Sequence, residues 1–123
     1  MRRPRHTRFQ EGLFAYRNAD YASALRILSP LAASGDAEVS LALGYMYDYG
    51  LGVVQDQRQA AAWYKRGSEH GSPAAKFNLA LLYRDGIGVP QDHIKAVALL
   101  RSAAEAGDAE SQNSSNRAGV MSP

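Results

Sequence analysis

The sequence contains no cysteine. Disulfides, a thiol nucleophile and cysteine-ligated metal are therefore excluded. It also lacks a long apolar run. No window approaches the roughly 18 consecutive apolar residues of a membrane-spanning helix. Its histidines, His6, His70 and His93, share no ligand-like spacing, so no metal site is expected. Two Gly-x-Gly stretches, Gly50-Leu-Gly52 and Gly86-Ile-Gly88, are not phosphate loops. No strand pattern precedes them and no Lys-Ser/Thr follows. The serines at 111, 114 and 115 have no partner base. No catalytic residue and no cofactor is assigned.

Charge is nearly balanced outside a single segment. The formal net charge is +2, from 14 basic and 12 acidic residues. Residues 1–8 hold Arg2, Arg3, Arg5 and Arg8 and no acid, so the remainder carries ten basic residues against twelve acidic ones. The basicity belongs to an N-terminal arm and not to a face of a domain. Such an arm is able to touch nucleic acid or anionic lipid, and binding through it would depend steeply on salt. The simpler expectation is a solvated, disordered terminus at residues 1–8 without nucleic-acid binding. No apolar stretch follows these arginines before Gln10-Glu11, so no signal peptide is visible. A cytoplasmic location is expected, with a periplasmic or secreted one open should the true N-terminus lie upstream.

What is present is repetition. Shifting the sequence by 36 residues lays Asp36–Gly71 over Ser72–Gly107, and eleven of the 36 positions coincide. They are Leu43/Leu79, Tyr47/Tyr83, Gly50/Gly86, Gly52/Gly88, Val53/Val89, Gln55/Gln91, Asp56/Asp92, Ala60/Ala96, Ala62/Ala98, Glu69/Glu105 and Gly71/Gly107. Unrelated sequences of ordinary composition would match at about two or three. A fixed period of this length marks a stacked-repeat architecture, and a hydrophobic content of 46% suffices for its core.

Each copy reads as two helices. Ser40, Leu43, Gly44 and Tyr47 form a helical stripe in the first copy, and Lys76, Leu79, Ala80 and Tyr83 repeat it. Gly50 and Gly86 suit the left-handed residue after a helix C-terminus. Gly52 and Gly88 let the loop turn tightly. Val53 and Val89, apolar residues in a turn, are expected to tuck beneath it. Asp56 and Asp92 are placed to N-cap second helices over 57–70 and 93–106, and Pro90 precedes that cap at no cost in helical hydrogen bonds. Gly44 and Ala80, facing Ala60 and Ala96, would bring paired helices close, with Trp63, Tyr64, Leu99 and Leu100 filling the flanks. Gly71 and Gly107 are expected to end the second helices. Asp36, Ser72 and Asp108 would cap the helices that follow, with Pro73 at a first helical position.

The pattern Leu43-Gly44-x-x-Tyr47-x-x-Gly50-x-Gly52-Val53-x-x-Asp56-x-x-x-Ala60-x-x-Trp63-Tyr64 resembles the Sel-one-like repeat (SLR), a longer-looped relative of the tetratricopeptide repeat. The second copy matches with Ala80 for the glycine and Leu99-Leu100 for Trp-Tyr. The resemblance covers about 72 residues. It implies an all-α fold, an α–α superhelix of about three antiparallel hairpins at 9–35, 36–71 and 72–107. In the first hairpin, Asp20, Ala24, Leu28 and Gly35 keep the 36-residue offset, but the loop after Gly12 is four residues shorter and has no Gly-x-Gly-Val. Helices at about 7–18 and 21–34 follow, with Pro30 bending or shortening the second. Residues 108–123 lose the pattern. Asn113-Ser-Ser-Asn116 propagates helix poorly, so a degenerate or frayed tail is expected. The outer face of helix 93–106 would then lie partly uncovered, inviting self-association.

The same resemblance implies a non-enzymatic adaptor or scaffold, often bacterial, that binds a protein or peptide on its concave side. First helices would line that side with Phe9, Leu13 and Tyr16, then Glu38, Leu41, Tyr45 and Asp48, then Ala74, Phe77, Leu81 and Arg84. Aromatic anchors suit a peptide groove. Leu41, Phe77 and Leu81 are equally suited to packing between hairpins, whereas Tyr45 and Asp48 are expected to be the open ones. Asp48 and Asp85 near the loop mouths would be solvated charges or, less simply, paired carboxylates. A cysteine-rich branch of the family is linked to β-lactam binding and hydrolysis. The absence of cysteine removes that branch's disulfide pattern, so no enzyme is expected.

Overall fold

The computed structural model describes the backbone of residues 5–32 and 36–118, and the side chains of 8–32 and 36–107. Among the described residues there are six helices and no strand: α1 (Arg5–Arg17), α2 (Tyr21–Leu31), α3 (Ala37–Tyr49), α4 (Gln57–Glu69), α5 (Pro73–Asp85) and α6 (His93–Ala118). No helix of the described residues is long and apolar enough to cross a membrane. The helices pair as α1–α2, α3–α4 and α5–α6, and α4 also packs along α5.

Side-chain caps start the helices where the polar residues placed them. The Asp36 carboxylate accepts from the N–H groups of Glu38 and Val39 at 2.8 and 3.1 Å. Asp20, Asp56, Ser72 and Asp92 do the same for Ser23, Gln59, Ala75 and Lys95. Each satisfies a donor that the first turn leaves without a helical partner. Helix α2 is shorter than its pattern suggested. It stops at Leu31, one residue beyond Pro30, whose ring nitrogen has no N–H to return to the Arg26 carbonyl. Ala33–Gly35, the rest of the expected helix and its glycine stop, lie outside the described residues.

The two long loops are copies of one another. Gly50 and Gly86 are left-handed, with φ of 69° and 68°. Leu51 and Ile87 N–H groups return to the carbonyls of Met46 and Leu82 at 2.8 and 3.0 Å, and those of Asp56 and Asp92 reach Tyr47 and Tyr83 at 2.8 Å each. Gln55 and Gln91 amides donate to the carbonyls of Asp48 and Arg84 at 2.7 and 2.9 Å, which explains why glutamine recurs there. Val53 and Val89 are half-buried against the core, as expected of plugs.

The second loop glycine does more than turn the chain. A Cβ on Gly52 would sit 2.6 Å from the Cβ of Tyr21, and one on Gly88 would collide with the Gln57 carbonyl. Both glycines are also left-handed. Each long loop is therefore seated on the start of the second helix of the preceding hairpin. Between α4 and α5 the close contact is Gly67, where a Cβ would lie 2.9 Å from that of Ala75.

Helix α6 departs from the sequence reading. Gly71 ends α4 with φ of 93°, and the Ser72 and Gly71 N–H groups close on the carbonyls of Gly67 and Ser68 at 3.0 and 3.1 Å. This is the Schellman arrangement. Gly107 has no such turn. The helix runs through it to Ala118, and a Cβ at Gly107 would meet nothing within 4 Å. No described following helix packs there to require a reversal. Asp108, read as the next cap, falls within α6, and its side chain lies outside the described residues. Residues 108–118, read as a degenerate tail, are helical backbone.

Two apolar clusters make the core. The first joins Leu13, Leu28, Val39, Leu43 and Met46 from α1, α2 and α3, with Trp63 lying against it. The second joins Ala60, Ala61 and Tyr64 of α4 to Leu79 and Leu82 of α5. Gly44 fixes how closely α3 and α4 approach, because a Cβ there would stand 2.5 Å from the Tyr64 ring. Gly44→Leu should cost about 3 kcal/mol or more and lower the thermal midpoint by roughly 10–20 °C. A melting curve followed by circular dichroism checks this, and an unchanged midpoint would contradict the α3–α4 pairing.

Candidate functional site

The first helices bring part of the expected set together. Leu13 and Tyr16 of α1 and Glu38, Leu41 and Tyr45 of α3 line one recess of about 140 Å³, with Arg17 and Ala42. Its walls are apolar and aromatic. Arg17 and Glu38 stand at its rim, their charged groups 3.5 Å apart and largely exposed. A pair this exposed adds little stability, so it is free to exchange its partner for a ligand's charge.

The remaining expected contacts are distributed differently. Phe9 is half-buried against the first cluster. Leu13 is only 6% exposed, so it forms the floor of the recess and is largely a core residue. Phe77, which could have packed between hairpins, is 48% exposed on α5. Ala74 and Arg84 are also exposed and Leu81 is half-buried. None of these four lines the α1–α3 recess.

Tyr45 and Asp48 are not the open positions the sequence suggested. The Tyr45 ring meets Tyr64 edge-on, with centroids 5.9 Å apart, and stacks with Tyr49 at 6.3 Å. Asp48 turns toward α4, where its two oxygens accept from the Tyr64 hydroxyl at 2.8 Å and the Gln57 amide at 3.1 Å. Nor is Asp48 one of a pair of carboxylates. Asp85 is held by its neighbour Arg84 through two bonds of 2.9 and 3.0 Å. The Arg84 guanidinium holds the Asp85 carboxyl below the usual range. The outward aromatic of α3 is Tyr49, 66% exposed. It was missed, although it lies four residues after Tyr45, on the same helical face, at the place the sequence reading gave to Asp48. Gly67 was missed too, although a glycine inside a helix otherwise weakens it and so signalled a close contact.

Tyr64 is fully buried, yet its hydroxyl is bonded to a carboxylate. Burial first, then the bond to Asp48, raises its pKa far above the usual phenol value. Tyr16, at the recess, is also raised, chiefly by burial. Of the described histidines, His70 holds the Arg66 carbonyl with Nδ1 at 2.9 Å and His93 is exposed. No group of three or more metal-ligating side chains occurs among the described residues.

The repeat geometry decides the family. The Sel1 repeat model matches residues 37–72 and 73–108, most of the chain. The chain belongs to the Sel1 repeat family. Proteins of this family generally mediate protein–protein interaction. Among solved structures, a Sel1 repeat protein from Oxalobacter formigenes is similar at 34% identity and a TM-score of 0.73, covering 78% of this chain and 40% of that one. The second is c5321, described as a protective antigen present in uropathogenic Escherichia coli strains displaying an SLR fold. It is 33% identical with a TM-score of 0.73, covering 80% of this chain and 22% of that one. The chain thus spans less than half the length of either. No curated protein matches it.

Tyr64→Phe deletes one bond to the Asp48 carboxylate while keeping the ring, and should cost about 1.5–3 kcal/mol. The raised folded-state pKa also sets a pH dependence. Below the unfolded value, about 10, both states hold the phenol proton and the contribution is complete. Above it the unfolded chain loses the proton first and stability falls. Urea midpoints from pH 9 to 11.5 should therefore decline more steeply for the wild type than for Tyr64→Phe, with the residual slope owed partly to Tyr16.

Proposed function

We propose that this Sel1 repeat protein is a non-enzymatic adaptor that holds a peptide or protein segment on the face formed by its first helices, the side assigned as concave. The observation that carries this reading is the α1–α3 recess. There an apolar floor, Tyr16, Tyr45 and an exchangeable Arg17–Glu38 pair converge. Tyrosine buries a large area at little entropic cost, and a rim charge orients a ligand without having to be desolvated. Phe77 and Tyr49, exposed on neighbouring helices, would extend the contact. The β-lactam hydrolase alternative and binding through the basic arm gain no support from the described residues.

A photo-crosslinking residue at position 77 or 41 tests this, with one at the exposed α4 position 62 as control. Crosslinks to a common partner from 41 and 77, lost in an Arg17→Glu/Glu38→Lys variant of equal helicity, would support the reading. Crosslinking from 62 alone would refute it. Substituting Tyr45 or Asp48 would not serve, since both brace Tyr64 and their loss would perturb the fold.

A second reading concerns the outer face of α6. Val97 is 54% exposed and Ile94 is 84% exposed. Val97 stands one period after Ala61, which α5 helps to bury in the second cluster. We infer that this face supports self-association. Sedimentation velocity should then show concentration-dependent growth that Val97→Glu suppresses. A wild type that stays monomeric at high concentration would contradict it.

A further inference from the structure

Where the second repeat departs from the first, it leaves a hole. In the first repeat Trp63 of α4 lies against the cluster that includes Ala32 of α2 and Leu43 of α3. One period later its place is taken by Leu99 of α6, beside Leu79, the counterpart of Leu43. Leucine does not fill the space an indole occupies. The groove between α4, α5 and α6 retains a cavity of about 280 Å³ floored by Leu79, Tyr83 and Leu99.

The rim of this groove also differs. Lys65, Glu69 and Lys95 surround it, whereas Ser29 and Gln59 stand one period before the two lysines. The Lys95 ammonium lies 5.3 Å from the Tyr83 ring centroid. It thus already sits where a second aromatic ring would receive a cation–π contact. Trp63's own indole N–H is buried without an acceptor. The later groove has the Glu69 carboxylate at its edge, an acceptor for such a donor.

We propose that this groove, formed mainly by second helices and separate from the α1–α3 recess, binds a peptide through a tryptophan side chain flanked by acidic residues. The indole would take the place that Trp63 takes in the preceding repeat. The flanking carboxylates would pair with Lys65 and Lys95, which outnumber Glu69. The proposal is independent of the first-helix reading.

The test is an amide-shift titration of the full chain with acetylated, amidated Glu-Trp-Glu. Saturable shifts at Leu79, Tyr83 and Leu99 are expected. Glu-Ala-Glu and Lys-Trp-Lys should each bind at least about tenfold more weakly, and Lys65→Glu/Lys95→Glu should reverse the preference for acidic flanks. Leu99→Trp fills the groove from within, so it should raise the thermal midpoint and abolish binding. Should its dichroism show misfolding, Leu99→Phe replaces it. Equal binding of the alanine peptide, undiminished binding to the filled variant, or no shift at millimolar peptide would each overturn the proposal. Shifts at Leu41 and Tyr45 instead would overturn it too, while leaving the first-helix reading standing.

Discussion

The contact between Gly44 and the ring of Tyr64 governs the middle of this molecule. Because position 44 has no side chain, the ring lies flush against α3. The same ring belongs to the second cluster with Leu79 and Leu82 of α5. One side chain thereby ties the second hairpin together and joins it to the third. Full burial of the ring is worth about 2–3 kcal/mol, and its hydroxyl bond to a carboxylate about 1.5–3 kcal/mol. The two are of similar size, and the bond also orients the ring. The bond has a consequence for function. It draws Asp48 off the first-helix face and leaves Tyr45 and Tyr49 as the aromatic surface of α3.

The loops extend the same principle from within a hairpin to between hairpins. A left-handed glycine followed two residues later by another produces a turn that closes on its own helix through the Leu51 and Ile87 N–H groups. Having no side chain, the second glycine also lets backbone touch the preceding hairpin at Tyr21 or Gln57. The first hairpin's shorter loop has no equivalent. Orientation between hairpins is accordingly set by the loop as well as by the α4–α5 face. Two glycines and a valine therefore recur together.

Helix count, caps and loop turns were legible in the sequence because each depends on residues adjacent in the chain. An aspartate before a helix or a glycine after one finds its partner within a turn. The site was legible only as a set of positions. The family resemblance placed Leu13, Tyr16, Glu38, Leu41 and Tyr45 on one side, and these five line one recess. The resemblance could not show that Leu13 is floor and Arg17 is rim, because exposure depends on how far apart the two helices stand. Asp48 was misjudged for a related reason. Its partner, Tyr64, lies 16 residues away on another helix, beyond the reach of any local pattern. Gly107 shows the converse. A glycine at the correct period turns the chain only where a following helix packs, and there the described chain runs on as helix.

A repeat protein offers its own internal control, since every position in the second copy has a counterpart whose environment is known. Agreement between copies identifies structure: Gln55 and Gln91 make the same bond and Asp56 and Asp92 the same cap. Disagreement identifies where the common scaffold is released. Asp48 braces Tyr64, but its counterpart Arg84 braces only Asp85, and Tyr64's counterpart Leu100 needs no such bond. Leu99 leaves unfilled what Trp63 fills, and Val97 stands exposed where Ala61 is covered. These departures leave the third hairpin with an open groove beside Leu99 and an exposed face on α6. The second hairpin, whose Tyr64 and Trp63 bind both of its neighbours, keeps the frame on which those surfaces depend.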